Sequence, residues 1–547
     1  MWRFLLNYHR KLLFSGTIGF IAFLTFFSDI PFISNQHITR HKREIVKDAR
    51  KVLKNIGYST NGFNAYSSFD YGTRSNLNGE FGKHAADTLL TNTLLNGDRW
   101  QVYFQHSSQG EAHPEYFYLQ FTPAGSLERF IHQPPSRRNW VNVSVEQLKT
   151  TAVKIIKSQY ANFDASRAKF EHQFIPHEDI AIHEFNWVQF DSALNDSVAF
   201  LVRFADARLQ EYVVTSGNAR TTARNTHHNL SRLQKFVFPL FILLLPWLYL
   251  ESRRRGHRPK DAPNYGLRLA ALFFVIHVAH ILNGMNASLF NSETMTVEWE
   301  RVLMQIIVVD ALLQGIIFSS IIYLTWNLGQ ALYSDRPDDN DLTSFKNILT
   351  LNWLTPEVAE SFATGFFIAA SLLGFITAYA FVVTTVFDGL IDQSLLSNAI
   401  DRDIPWLTPA FSGVLSAFFI IIILYFFMFN ILKTYLKRSL WAILPILLIM
   451  QIAGFDAITF DSPLYNIILR LALGLIVYWI YTKYDLFASF IGLALSAAFL
   501  HVVPLLSTSS IFFQTSGISC SILLVSALFV SILGFRRNRL IMYSQTR

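Results

Sequence analysis

One cysteine, Cys520, stands in the whole 547-residue chain. A lone thiol inside an apolar run excludes a disulfide framework and a thiolate metal site. Charge is also scarce. Asp, Glu, Lys and Arg together make up 16% of residues, against the roughly 25% usual in soluble domains. That deficit excludes an ordinary soluble globular protein. The formal charge of +7 does not describe a nucleic-acid-binding protein either, because the Lys and Arg residues gather beside apolar runs, as the positive-inside rule requires.

What the chain does have is apolar surface. Hydrophobic residues reach 51%, 50 of them phenylalanine, and the mean hydropathy is +0.28. Arg3, Arg10 and Lys11 precede the apolar run 12–33. A signal peptide would have that layout. However, no small-x-small cleavage site follows Pro31-Phe32-Ile33, so an uncleaved anchor with a cytoplasmic N-terminus is expected. A polar tract covers 34–232. Apolar runs then recur at 234–250, 267–284, 302–326, 361–387, 405–430, 440–458, 464–482, 486–506 and 511–534. Each approaches the ~20 residues needed to cross the hydrocarbon core.

These runs predict a polytopic α-helical membrane protein with about ten transmembrane helices and an extracytoplasmic α+β domain. Under that count the loops holding Arg253-Arg254-Arg255, Lys433/Lys437/Arg438 and Arg536-Arg537/Arg539 fall in the cytoplasm. The acidic loops 293–300 and 388–403 fall outside, and the acidic loop 335–341 falls inside. The expected address is a bacterial inner membrane with both termini cytoplasmic, the polar domain being periplasmic in a Gram-negative cell. The expected division is an anchor (1–33), an outer domain (34–232), a first group of membrane helices (233–358) and a larger bundle with a basic tail (359–547).

In the outer domain, Ile45, Ala49, Val52, Leu53 and Ile56 form one stripe of a helix over 41–56 that ends at Gly57. Strand-like runs follow at 100–104, 116–121 and 127–131. The order then repeats. Ser144 and Gln147 open a helix with Leu148, Ala152, Ile155, Ile156 and Tyr160 on one face, and strands follow at 185–190, 198–204 and 209–215. Two copies of a helix followed by antiparallel strands are predicted. This order, with one tryptophan in each copy, resembles the PepSY-type modules found outside bacterial membranes. His106, His113, His132, His172, His177 and His183 are scattered without catalytic spacing and read as exposed polar residues. A metal site at His172, His177 and His183 is the sharper alternative. Pro134-Pro135 with Arg137-Arg138 reads as the loop between copies, and the sequon Asn142-Val143-Ser144 carries no weight in a bacterial chain.

The membrane region carries a second pattern. Pro405-Trp406-Leu407, Gly413, Ser416-Ala417 and the closing Lys433, Lys437 and Arg438 stand in one register. Pro445, Tyr478-Trp479, Lys483-Tyr484 and Pro504-Leu505-Leu506 continue it. Over residues 404–506 this resembles the glutamic intramembrane proteases of the CAAX-processing and bacteriocin-processing (CPBP) family. The resemblance implies a Glu-Glu-x-x-x-Arg motif, then a His, then a His-x-x-x-Asn/Asp pair. Those positions fall here on Ile420, Ile421, Tyr425, Ala453, Leu493 and Ala497. A water-activating glutamate depends on proton-transferring partners, and these side chains cannot replace them. The expectation is a protease-like bundle without protease chemistry, and so no catalytic residue.

A few ionisable residues remain within the spans, and such groups are functional candidates by default. His277 and His280 share a helix face and Asp310 lies on the next span. A metal or proton site between helices is the sharper reading, and an orienting hydrogen bond the plainer one. Arg470 is expected to pair with Asp456 or Asp461 or to snorkel, His501 to lie near the interface, and Glu357 and Glu360 to favour a helix N-terminus. No cofactor and no metal are implied. The expected partners are the lipid bilayer and a membrane or secreted protein, with no nucleic acid. The leading expectation is a catalytically inactive binding or regulatory protein. The alternatives are an active intramembrane hydrolase at His277, His280 and Asp310, and a transport or export component.

Overall fold

The computed structural model describes residues 10–27, 38–70, 99–106, 115–133, 144–160, 162–177, 180–191, 196–205, 208–216, 250, 254, 264–285, 297–333, 342–387, 389, 391–392, 397–453, 458–460 and 462–545. After a first helix, α1 (Arg10–Phe26), the chain builds a sheet domain. Helix α2 (Lys42–Ile56) precedes strands β1 (Phe63–Asp70), β2 (Arg99–His106), β3 (Tyr116–Phe121) and β4 (Leu127–Gln133). Helix α3 (Val145–Gln159) precedes β5 (Lys169–His177), β6 (Ile180–Asp191), β7 (Asp196–Ala205) and β8 (Arg208–Ser216). All eight strands form one antiparallel sheet in the order β1-β2-β3-β4-β8-β7-β6-β5. Two four-stranded meanders therefore meet through their last strands, where Phe130 faces Tyr212.

The two halves place equivalent residues in equivalent positions. Trp100 on β2 lies between Phe69 and Phe121, and Trp187 on β6 lies between Phe170 and Phe200. The helices cover the apolar face. Ile45, Ala49 and Leu53 of α2, and Leu148, Ala152 and Ile156 of α3, recur every third or fourth residue and are buried with both tryptophans in one core. The capping residues are local. Ser144 Oγ accepts from Gln147 N–H at 3.3 Å, and Glu44 accepts from the His41 backbone N–H at 3.3 Å. Strands β1 and β5, which no run in the sequence predicted, are the two edges.

Glu128 is the extra residue of a β-bulge, since Gln120 faces Arg129 while Phe121 faces Leu127. It is 4% exposed, and neither carboxylate oxygen has an aligned hydrogen bond, although Arg99 Nε lies 3.0 Å away. Burial pushes its carboxyl up to about 7, with Arg99 opposing. A raised carboxyl contributes stability at low pH that is lost as pH climbs through the folded value. Thermal melts of the solubilised chain are expected to show stability falling by roughly 2–3 kcal/mol between pH 4.5 and 7.5. Glu128→Gln is expected to lessen that slope, the buried Asp401 carboxyl contributing a fall of the same sign; an unchanged slope in the variant would assign it elsewhere.

The rest of the chain is a helical bundle. It comprises α4 (Asn264–Leu282), α5 (Val297–Tyr333), α6 (Thr343–Leu349), α7 (Pro356–Val386), β9 (Ile391–Asp392) and α8 (Ser397–Ile400). Then come α9 (Leu407–Leu436), α10 (Ser439–Ala453), β10 (Thr459–Phe460), α11 (Pro463–Lys483), α12 (Leu486–Ser507) and α13 (Ile511–Gln545). Among the described residues seven helices are long and apolar enough to cross a membrane: α4, α5, α7, α9, α11, α12 and α13. This is fewer than the ten expected. The run 440–458 becomes the 15-residue α10 with Pro445 inside it. The anchor run yields the 17-residue α1. Residues 234–249 of the expected span 234–250, Arg253, Arg255 and the loop 335–341 lie outside the described residues.

Helix α1 does not stand apart from the bundle. It lies along α7 through small residues: a methyl placed on Gly374 would sit 2.3 Å from the Gly19 Cα, and the hydroxyls of Ser15 and Ser371 are 3.1 Å apart. Close backbone approach at small residues is the usual means of helix association in lipid.

The two ends of the bundle are distinct. At one end Arg268 donates to the Leu349 carbonyl at 2.7 Å, and Ser361 Oγ bonds the Asp485 carboxylate that caps α12. At the other end the short strands β9 and β10 pair, and Asn283, just past α4, clasps the start of α9. Its Nδ2 donates to the Ile404 carbonyl at 3.1 Å and to Thr408 Oγ1 at 3.0 Å, and its Oδ1 accepts from Ile404 N–H at 2.8 Å. The sheet domain sits on this second end, with Tyr66 of β1 packed on Met285, Leu303, Met304 and Ile307.

Candidate ligand site between sheet and bundle

The positions where the CPBP resemblance would put chemistry lie in tightly packed interior. Residues Phe418–Phe429, the middle of α9, form a π-helix. Such stretches are rare and frequently mark functional sites. Ile420, Ile421 and Tyr425 are buried there. Leu493 and Ala497, one turn apart on α12, are buried in the same core. Ala453 ends α10, and its side chain lies outside the described residues. The polar groups of this part of α9 are already engaged. Tyr425 donates to the Gly474 carbonyl at 2.6 Å, and Asn430 Nδ2 donates to the Phe426 carbonyl at 2.6 Å and to Tyr481 Oη at 2.9 Å.

The intramembrane polar residues divide into two groups. His277 lies beside Gln314, whose Nε2 donates to Asp310 at 2.7 Å on the exposed side of α5. His277 also stacks on Phe273 and lines a cavity of about 220 Å³ whose other walls are apolar. His280 instead lies by Phe411, within electrostatic reach of Arg402 and His501. No group of three metal-ligating side chains occurs among the described residues. Arg470 donates to the Gln451 carbonyl at 2.7 Å, and its expected partners Asp456 and Asp461 lie outside the described residues. In the sheet domain His172 and His183 face each other across β5 and β6, with Nε2 and Nδ1 3.3 Å apart. His132 bonds Glu115 at 2.7 Å and Tyr58 Oη at 3.0 Å. His113 and the side chains of His106 and His177 lie outside the described residues.

A larger cavity than the one at His277 lies where the sequence did not single out a site. A cavity of about 570 Å³ opens where the sheet domain meets the bundle. Four segments form it: the start of α2 with His41, Lys42 and Arg43; β1 with Ser67; the α8–α9 loop with Ile400, Arg402 and Trp406; and the first turns of α13 with Phe512, Phe513 and Ser516. Among the described residues on its wall, Asp403 is the one acidic side chain. It lies 3.4 Å from Lys42 Nζ, which also donates to the Asp401 carbonyl at 3.5 Å.

Asp401 joins the two parts from behind this wall. Its carboxylate accepts from Phe69 N–H and from Ser68 Oγ, both at 3.0 Å. Burial pushes that carboxyl up to about 6, against the pull of Lys42 and those two hydrogen bonds. Burial also lowers the Arg402 guanidinium, which its neighbours Asp401 and Asp403 oppose. His41 stacks on Phe512 with centroids 4.5 Å apart. The cavity thus sets cationic side chains beside aromatic ones. Its size suits a small ligand, since such sites usually span ~300–1,000 Å³.

No family model, curated protein or solved structure matches the chain.

Proposed function

We propose that this chain is a membrane-embedded binding protein, not a hydrolase, and that its ligand occupies the cavity between sheet and bundle. The observation that carries this reading is the cavity itself, which sets cationic side chains beside aromatic ones. The resemblance to intramembrane proteases belongs with the same reading. Its reactive positions Ile420, Ile421, Tyr425 and Leu493 are buried in close-packed core. The scaffold is kept and the chemistry is gone, so the old bundle serves to grip a membrane or secreted partner.

Charge supports the orientation expected from sequence. Arg10, Lys11, Lys433, Lys437, Arg438 and Lys483 lie at the bundle end away from the sheet. By the positive-inside rule that end faces the cytoplasm. The sheet domain then lies outside a bacterial inner membrane and both termini inside.

The test is direct incubation of the purified chain with leader-peptide, lipoprotein and CAAX-type substrates, together with metal analysis. No cleavage and no stoichiometric divalent ion are expected. Cleavage that disappears in His277→Ala or Asp310→Asn would overturn the reading in favour of a relocated hydrolase site beside the 220 Å³ cavity.

A further inference from the structure

We infer that the cavity between sheet and bundle holds the phosphate-bearing headgroup of an anionic lipid, with the acyl chains lying over Trp406 and Phe512. This rests on the cavity being the ligand site and goes further by naming the ligand class.

Three features of the cavity point to an anion. Arg43 is exposed on its wall and makes no ion pair among the described residues. Lys42 is held in place beside it by Asp403 at 3.4 Å. Ser67 is 1% exposed, and its Oγ has no hydrogen-bond partner among the described residues. A buried, unsatisfied hydroxyl costs free energy that an acceptor in the cavity would recover. A phosphate offers acceptors to Ser67 and charge to Lys42 and Arg43 at once.

The position of the mouth selects a lipid over a soluble anion or an acidic peptide. Trp406 immediately precedes α9, and Phe512 is the second residue of α13, so both sit where membrane-crossing helices begin. Ile404, Trp406 and Phe512 are each about 40% exposed, and Ile511 beside them is more so. Tryptophan at such a level marks the boundary between hydrocarbon and headgroups. Acyl chains would cover this apolar rim; inorganic phosphate or an acidic peptide would leave it wet. The single carboxylate on the wall, Asp403, is paired with Lys42 and so orients the cation instead of repelling the headgroup.

The experiment uses the full-length protein in neutral detergent, titrated with phosphatidylglycerol, phosphatidylcholine, inorganic phosphate or an acidic peptide. Phosphatidylglycerol is expected to bind about tenfold more tightly than phosphatidylcholine, and Arg43→Glu to weaken it by about tenfold. Arg43 is exposed, so the unliganded Tm of that variant should match the parent. A brominated acyl chain should quench fluorescence in the parent, and the part of that quenching lost in Trp406→Phe places the tail. Equal affinity for the two lipids, no loss in Arg43→Glu, or no difference in quenching would overturn the inference. So would full displacement of the lipid by inorganic phosphate or by the peptide. Displacement by either would still leave a binding site in the cavity, whereas substrate cleavage would remove the binding-protein reading itself.

Discussion

Gly413→Leu is expected to abolish recovery of a monodisperse folded bundle. Gly413 sits where α9 crosses α12. A methyl placed on it would lie 2.3 Å from the Ala494 carbonyl oxygen, 2.8 Å from the Ala498 Cβ and 3.0 Å from the Ala498 nitrogen. Two of those three neighbours are backbone atoms, which cannot turn aside as a side chain end can. Overpacking a well-filled core commonly costs ~1–3 kcal/mol. A leucine here would have to separate two helices that are both central to the main core, where Phe418 packs edge-on against Phe490 at 5.1 Å. Close approach at small residues is also what holds helices together in lipid, so the loss is one of packing as well as of space. Gly413→Ala should lower the Tm measurably and keep the fold. Leu440→Ala, at a position 77% exposed, should change little. Size-exclusion profiles and melts of the three variants check the order. A normal profile for Gly413→Leu would mean that the helices do not cross at this residue.

How much of this was visible in the sequence depends on the kind of signal each part leaves. The long helices α4, α5, α7, α9, α11, α12 and α13 announce themselves by apolar length, which needs no knowledge of neighbours. The inner strands β2–β4 and β6–β8 alternate or run apolar around Trp100 and Trp187. The edge strands do not. In β1, Ser67 and Ser68 interrupt the apolar pattern, and in β5 Pro176 stands inside a run rich in polar residues. Edges tolerate proline and polar residues because one side of the strand is unpaired, so their strand signal is weak.

The cavity was harder still to foresee. Its walls come from residues 41–46, 65–67, 400–406 and 512–516, which no local window joins. The traces were present: the basic run Arg40–Arg43, the mixed Asp401-Arg402-Asp403, and Trp406 at a helix start. The first two read singly as a solvated surface, and Trp406 reads as a scaffold mark of the family resemblance. Only the docking of β1 on the bundle turns Asp401 from a loop carboxylate into a buried acceptor for Phe69 and Ser68. In the same way Tyr425, weak as a sequence mark, gains its role from the Gly474 carbonyl on α11. The carbonyl is set by the packing of α9 against α11, not by anything near Tyr425 in sequence.

Ile421→Glu is expected to be among the most destabilising single changes in the chain. Ile421 is fully buried in the π-helical part of α9. It is also one of the two positions where the resemblance read from the sequence would place a glutamate. The neighbouring polar group on α9, Tyr425, already donates to Gly474, and Leu493 and Ala497 on α12 offer no side-chain hydrogen bond. A carboxylate without partners in such a place either stays charged at a prohibitive cost or takes up a proton. Leaving an uncompensated charge in packed interior costs about 3–5 kcal/mol. Ile421→Leu keeps the volume and should cost less than ~1.5 kcal/mol, with Ile421→Gln between them. Melts in one detergent at one pH give the ranking, and peptide cleavage assays on Ile421→Glu should remain blank. The blank follows from chemistry, because a lone glutamate without the histidines and the Asn or Asp has nothing to hold a water or stabilise an oxyanion. If this part of α9 were solvated, the carboxylate would be received at little cost and the ranking would collapse. A stable Ile421→Glu would therefore mean that water reaches this part of α9, which would favour the hydrolase reading.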